Sequence, residues 1–130
     1  MPAVMLGNDV RGVEETVQAI YDEARKATGA GAYTAAVLCC RKLLMHIAVE
    51  KGADPDLKVF EFVQYLLDKH YITADAAEWV DHIRDRGNEA NHQIVIMDED
   101  DAEELISFCE MLLRVIYEYP ARMRAKKSGA

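Results

Sequence analysis

Apolar residues recur at three- and four-residue spacings along almost the whole chain, the signature of amphipathic helices. Val13, Val17, Ile20 and Ala24 lie opposite Glu14, Glu15, Asp22 and Lys26, which predicts a first helix ended by Gly29 and Gly31. Tyr33, Ala36, Val37, Cys40, Leu43, Leu44 and Ile47 share one stripe of a second helix. Leu38 and Met45 widen its apolar face, so this helix is expected to be the most buried. Gly52 closes it. Asp54-Pro55 predicts a cap and first helical position for a third helix carrying Val59, Phe62, Val63, Leu66 and Leu67 up to about His70.

Thr73 is the expected N-cap of a fourth helix with Ala76, Val80, Ile83 and Gly87 toward the core. Gln93 to Met97 reads as a short extended stretch. The acid run Asp98 to Asp101 suits the positive end of a helix dipole and opens a last helix with Ala102, Leu105, Cys109, Leu112, Leu113 and Ile116 inward. The fold class expected is all-α, an antiparallel bundle of four to five helices. Residues 12–120 form a single domain, residues 1–11 a flexible lead-in and residues 121–130 a basic frayed tail.

The length of 130 residues suits one domain and needs no disulfide or metal staple. Cysteines 39 and 40 are adjacent and Cys109 makes the count odd, so they read as reduced, small core residues in a cytoplasmic protein. No apolar run approaches the roughly 18–20 residues that span a bilayer. Met1 to Asn8 lacks a basic region and a long apolar region, so no signal peptide is expected. Fifteen basic against 23 acidic residues give a formal charge of −8, and residues 51–100 hold most of that excess. Gripping a phosphate backbone rests on Lys and Arg, so this balance argues against nucleic acid as the main partner.

The string Ile83 to His92, IRDRGNEANH, departs from the helical pattern. Gly and Asn are poor helix formers, so something other than propensity favours them there. On a helical projection Gly87 faces the core with Val80 and Ile83. Arg84, Asn88 and His92 share one flank, and Arg86 lies on the other beside Trp79. A break at Gly87-Asn88 would reverse which arginine faces His92.

Arg86, five intervening residues and His92, at the end of a helix in a small all-α bundle, resemble the motif of the HEPN superfamily. The Gly-Asn pair, the acid-capped final helix and Tyr117 and Tyr119 before Pro120 resemble one uncharacterised branch of it. That branch is found alone or fused to restriction-endonuclease and helicase subunits in bacteria and phages. The resemblance covers Val13 to Pro120. It implies a HEPN-like bundle that forms a homodimer with Arg and His near the interface, in a defence, toxin-antitoxin or mobile-element setting. In active members it implies metal-independent RNA cleavage. His92 would then take the 2′-OH proton or orient the phosphate. Arg86 or Arg84 would stabilise phosphoryl charge, and Asn88 would position either group. Ile94 stands where a tyrosine-modified toxin variant of the family carries Tyr, so that regulation is not expected.

Plainer readings compete at each position. His92 donates to a backbone carbonyl, Arg86 pairs with an acid or stacks on Trp79, and Asn88 caps a broken helix. Asn91 and Trp79 are candidate binding residues. Glu78, His82, Asp85 and Glu89 share a face, but it points away from the apolar one and reads as solvated rather than as a metal site. His46 and His70 read as structural, Phe60, Phe62, Tyr65 and Tyr71 as core or subunit interface. No cofactor and no metal are expected, and no membrane contact. Asp81, Asp85, Glu89 and Asp98 to Asp101 flank the Arg-His motif and would repel RNA. A docking or dimerisation module, with itself or a defence or restriction protein as partner, therefore ranks above an endoribonuclease.

Overall fold

Helix ends follow the punctuation of the sequence closely. The computed structural model describes residues 4–73 and 97–127, and the first four α-helices among them carry an identifiable start or stop. Helix α1 (Glu15–Gly29) starts at Glu14, whose carboxylate accepts the backbone N–H of Thr16 and of Val17. It ends with Gly31 at φ 75°, where the Gly31 N–H donates to Thr28 O and the Ala32 N–H to Ala27 O. This bond pair is the Schellman closure, and it needs a left-handed residue at its centre. Helix α2 (Tyr33–Glu50) closes the same way around Gly52 at φ 106°. Helix α3 (Val59–Asp68) repeats the closure with His70 at φ 66° in place of glycine.

Two expected boundaries moved. Helix α3 starts after Lys58 rather than at Pro55, because Asp54 Oδ1 accepts the Asp56 N–H and turns the chain there. Glu61 then reaches back to the Lys58 N–H at 3.0 Å. The last helix does not stop before Pro120. Helix α4 (Glu99–Leu113), opened by a reciprocal Asp98–Asp101 capping box, runs into a π-helical turn (Arg114–Glu118) and on into α5 (Tyr119–Lys127). An α-helix through Pro120 would leave a proline ring against the preceding turn. The wider turn, in which the Tyr119 N–H donates to Arg114 O five residues back, accommodates it. The expected frayed tail is therefore helical as far as Lys127.

Helix α2 is central and packs against α1, α3 and α4. The three-residue connection 30–32 turns it back along α1, as an αα-hairpin does. Its predicted stripe is buried from Ala36 to Ile47, with Tyr33 half-buried: Ala36 and Val37 pack with Met97 and Ala102, and Cys40 to Ile47 with Tyr21 and Ala24 of α1, Phe62 and Leu66 of α3, and Ile106 and Leu113 of α4. Each such Leu, Ile or Phe removed from water contributes roughly 1.5–3 kcal/mol. Leu38, 57 % exposed, and Met45 do not widen that face; they lie on the outer side of α2 with Val49. Only Cys40 and Cys109 behave as expected core thiols, Cys109 Sγ lying 4.0 Å from Cys40 O. A hydrogen bond with Cys40 first, and then burial, hold the Cys109 thiol well above its ordinary pKa. Cys39 is half-buried.

Residues 4–11, expected as a loose lead-in, form a strap tied along α1 and α4. The buried Arg25 guanidinium donates to Leu6 O, Gly7 O and Asp9 Oδ1. Thr28 Oγ1 accepts the Leu6 N–H, and Tyr21 Oη donates to Asn8 O. Asn8 and Arg11 offer backbone N–H groups to Glu110 and Glu118. Gly7 sits at φ 79°, where a Cβ would come 2.7 Å from Ile106 Cγ2. The strap thus converts polar side chains of two helices into partners for an otherwise irregular backbone.

Candidate functional site

The residues that sequence reasoning singled out do not fall in the described part of the chain. Trp79, Arg84, Arg86, Gly87, Asn88, Asn91 and His92 lie outside the described residues, as do the fourth helix and the extended stretch up to Ile96. So does the Glu78–His82–Asp85–Glu89 face. The described chain resumes at Met97, whose N–H donates to Thr34 Oγ1 at the start of α2, and whose side chain is buried beside Ala36, Val37 and Ala102.

The described residues bring together a different set. The antiparallel turn between α1 and α2 sets the start of α1 beside the end of α2. There His46 Nε2 lies 3.7 Å from Glu14 Oε2 and 3.7 Å from Glu50 Oε2. His46 and Glu50 share a face of α2 through their i, i+4 spacing. Glu14 arrives from the N-cap of α1. All three side chains are between one third and one half exposed, so solvent reaches the cluster.

Each carboxylate is oriented from behind. Glu14 Oε1 accepts the Thr16 N–H at 2.9 Å, and this backbone bond is the largest reason its pKa falls below the ordinary value. Glu50 Oε1 accepts the Tyr117 hydroxyl at 2.9 Å. Burial first, and then Glu50, raise the Tyr117 pKa above its ordinary value. The phenol therefore stays protonated and donates. One oxygen of each carboxylate turns toward His46; for Glu14 that oxygen, Oε2, also accepts the Val17 N–H at 3.3 Å. The sequence reading assigned His46 a structural role. The His46–Glu50 spacing was visible, but Glu14 stands 32 positions upstream of His46 and only the helix hairpin reveals it.

A second feature lies at the far end of the last helix. No residue of α5 is buried. Val115, Tyr119 and Met123, four residues apart, expose 42 %, 46 % and 54 % of their surface. Arg122, Arg124, Lys126 and Lys127 flank them, with Arg122 over the Tyr119 ring at 5.5 Å. On α3, by contrast, a groove of about 280 Å³ is lined by Leu57, Phe60, Glu61, Gln64, Tyr65 and Asp68. Its floor is mostly apolar and its charged residues are acidic. Phe60 and Tyr65, expected as core or subunit interface, are both half-buried.

Comparison with curated proteins and with solved structures gives no match. A family model described as "Domain of unknown function (DUF4145)" matches residues 22–128.

Proposed function

The chain belongs to the DUF4145 family, and on that premise we propose that it is a HEPN-like helical dimerisation module. It acts by pairing with a second copy of itself. The observation that carries this is the complementarity of two surfaces of one chain. The basic, apolar-striped helix α5 projects with Tyr119 and Met123 outward. The α3 groove offers an apolar floor with Glu61 and Asp68 on it. Reciprocal seating of each α5 in the other copy's groove makes a closed two-fold pair, which leaves no sticky end to propagate. The acid flanking the groove selects the basic helix by charge, and the apolar stripe supplies burial.

The resemblance of Arg86 and His92 to the HEPN motif is what suggests the HEPN-like reading, and with it a defence or mobile-element setting and a further protein partner. Sedimentation of the full chain tests the pairing. A dimer is expected at tens of micromolar, weakening with salt because its charges are exposed. Met123→Asp should convert it to monomer without changing helix content. A monomer at those concentrations overturns the reading. RNA cleavage by Arg86 and His92 is measured on the same preparation. EDTA-resistant cleavage of single-stranded RNA, lost in His92→Ala, would replace docking by catalysis.

A further inference from the structure

We propose that Glu14, His46 and Glu50 form a binding site for a divalent transition-metal ion of the zinc class. Two elements of the chain supply three donor atoms, converging at a solvent-accessible point: the α1 cap gives a carboxylate, and the last turns of α2 give an imidazole and a carboxylate. One imidazole nitrogen with two carboxylate oxygens is a donor set that zinc and its neighbours accept, and a three-residue set leaves a position for water or a ligand.

The distances fit. Bonds of about 2.1 Å at a tetrahedral centre put donor atoms about 3.4 Å apart. His46 Nε2 stands 3.7 Å from one oxygen of each carboxylate, and the donor atoms all lie within 4.8 Å of one another. Small side-chain rotations close the remaining gap.

The support behind the donors is the independent observation. Metal-ligating carboxylates are commonly hydrogen-bonded through their second oxygen, which fixes their direction. Here the Tyr117 hydroxyl from the π-helical turn holds Glu50 Oε1, and the Thr16 N–H holds Glu14 Oε1. These bonds come from outside the three donors; Glu50 Oε2 faces His46, and Glu14 Oε2, which also accepts the Val17 N–H at 3.3 Å, keeps a lone pair for an ion. Two anionic groups held this close repel each other, and a cation between them removes that repulsion. Tyr117 is a positioning residue: it touches Glu50 and not the ion.

The test uses the full chain, free of any affinity tag and stripped with EDTA, titrated calorimetrically with zinc chloride. One ion per chain is expected, with a dissociation constant in the micromolar range or tighter. His46→Gln should weaken it by about 30-fold or more, and Tyr117→Phe by about tenfold, the usual scale for an outer partner. Cys39→Ser should leave it unchanged. Circular dichroism establishes that each variant keeps its helix content. Should His46→Gln fail to fold, selective shifts of the His46 imidazole resonances on adding zinc to the wild-type chain decide instead. Stoichiometric binding that survives His46→Gln, zinc that leaves those resonances unmoved, or no saturable binding at about a hundred micromolar overturns the site.

Discussion

Among the described residues, His70 is the non-glycine residue held at positive φ. It occupies a left-handed conformation at φ 66° in a closure that α1 and α2 complete with glycine. A side chain in that region costs roughly 1 kcal/mol relative to glycine. Glycine also adds unfolded-state entropy, which offsets part of the gain. His70→Gly is therefore expected to raise stability by about 0.5 kcal/mol, read as a higher urea midpoint with unchanged slope. An unchanged or lower midpoint would mean that the imidazole compensates. Gly31 and Gly52 were legible in the sequence as helix stops. His70 marked the end of α3 only through the fading of the apolar pattern, because nothing in a histidine announces positive φ.

At the scale of elements, the strap of residues 4–11 is the main departure from what periodicity reveals. Its backbone groups find partners in Arg25, Thr28, Tyr21, Glu110 and Glu118, all on helices. Arg25 lies only 9 % exposed and serves three acceptors of the strap. Removing it leaves the half-buried Leu6 and Gly7 carbonyls without donors, which costs about 1–3 kcal/mol for each group so orphaned. Arg25→Ala is expected to destabilise the chain by about 2–4 kcal/mol, measured by urea unfolding. It should also free the strap to proteolysis ahead of the helices. A loss below about 1 kcal/mol would show that water replaces the guanidinium. Sequence periodicity placed Arg25 beside Ala24 without signalling burial. An arginine in an apolar stripe is compatible with a solvated flank until the acceptors arrive from another segment. Helices α1 to α4 were legible because each buries one continuous stripe. The proline at 120 misled because a break and a widened turn look alike in sequence.

For the whole molecule, charge is the property that changes with conditions. Glu118 is almost fully covered and its pKa lies below the ordinary value, first through the Arg11 N–H and then through Arg114. A carboxylate whose folded pKa is depressed stabilises above its unfolded value, about 4.3, and loses that contribution as pH falls through the folded value. Stability is therefore expected to be level from neutral pH to about 5 and to fall below about 4.3. Glu118→Gln should flatten part of that acid slope while lowering stability at pH 7. Equal slopes in the two proteins would assign acid sensitivity to other carboxylates. The acid excess first weighed against RNA has, among the described residues, two local tasks: Glu61 and Asp68 edge the α3 groove, and Asp98 with Asp101 closes a helix start. How the charges around His92 are disposed lies outside the described residues.

The π-helical turn at Arg114–Glu118 acts as a one-residue phase offset between two parts of one rod. Before it, the helix is indexed to the core through Ile106, Cys109, Leu112 and Leu113. After it, azimuth is set by how many residues the wide turn absorbs. One residue corresponds to about 100° of rotation. A single deletion within 114–118 would leave the stripe from Ile106 to Leu113 in place yet swing Tyr119 and Met123 by about that angle, turning the outward stripe to a different compass bearing. The direction in which the molecule presents its last helix can thus vary by insertion or deletion in this turn, with the stripe before it kept in register.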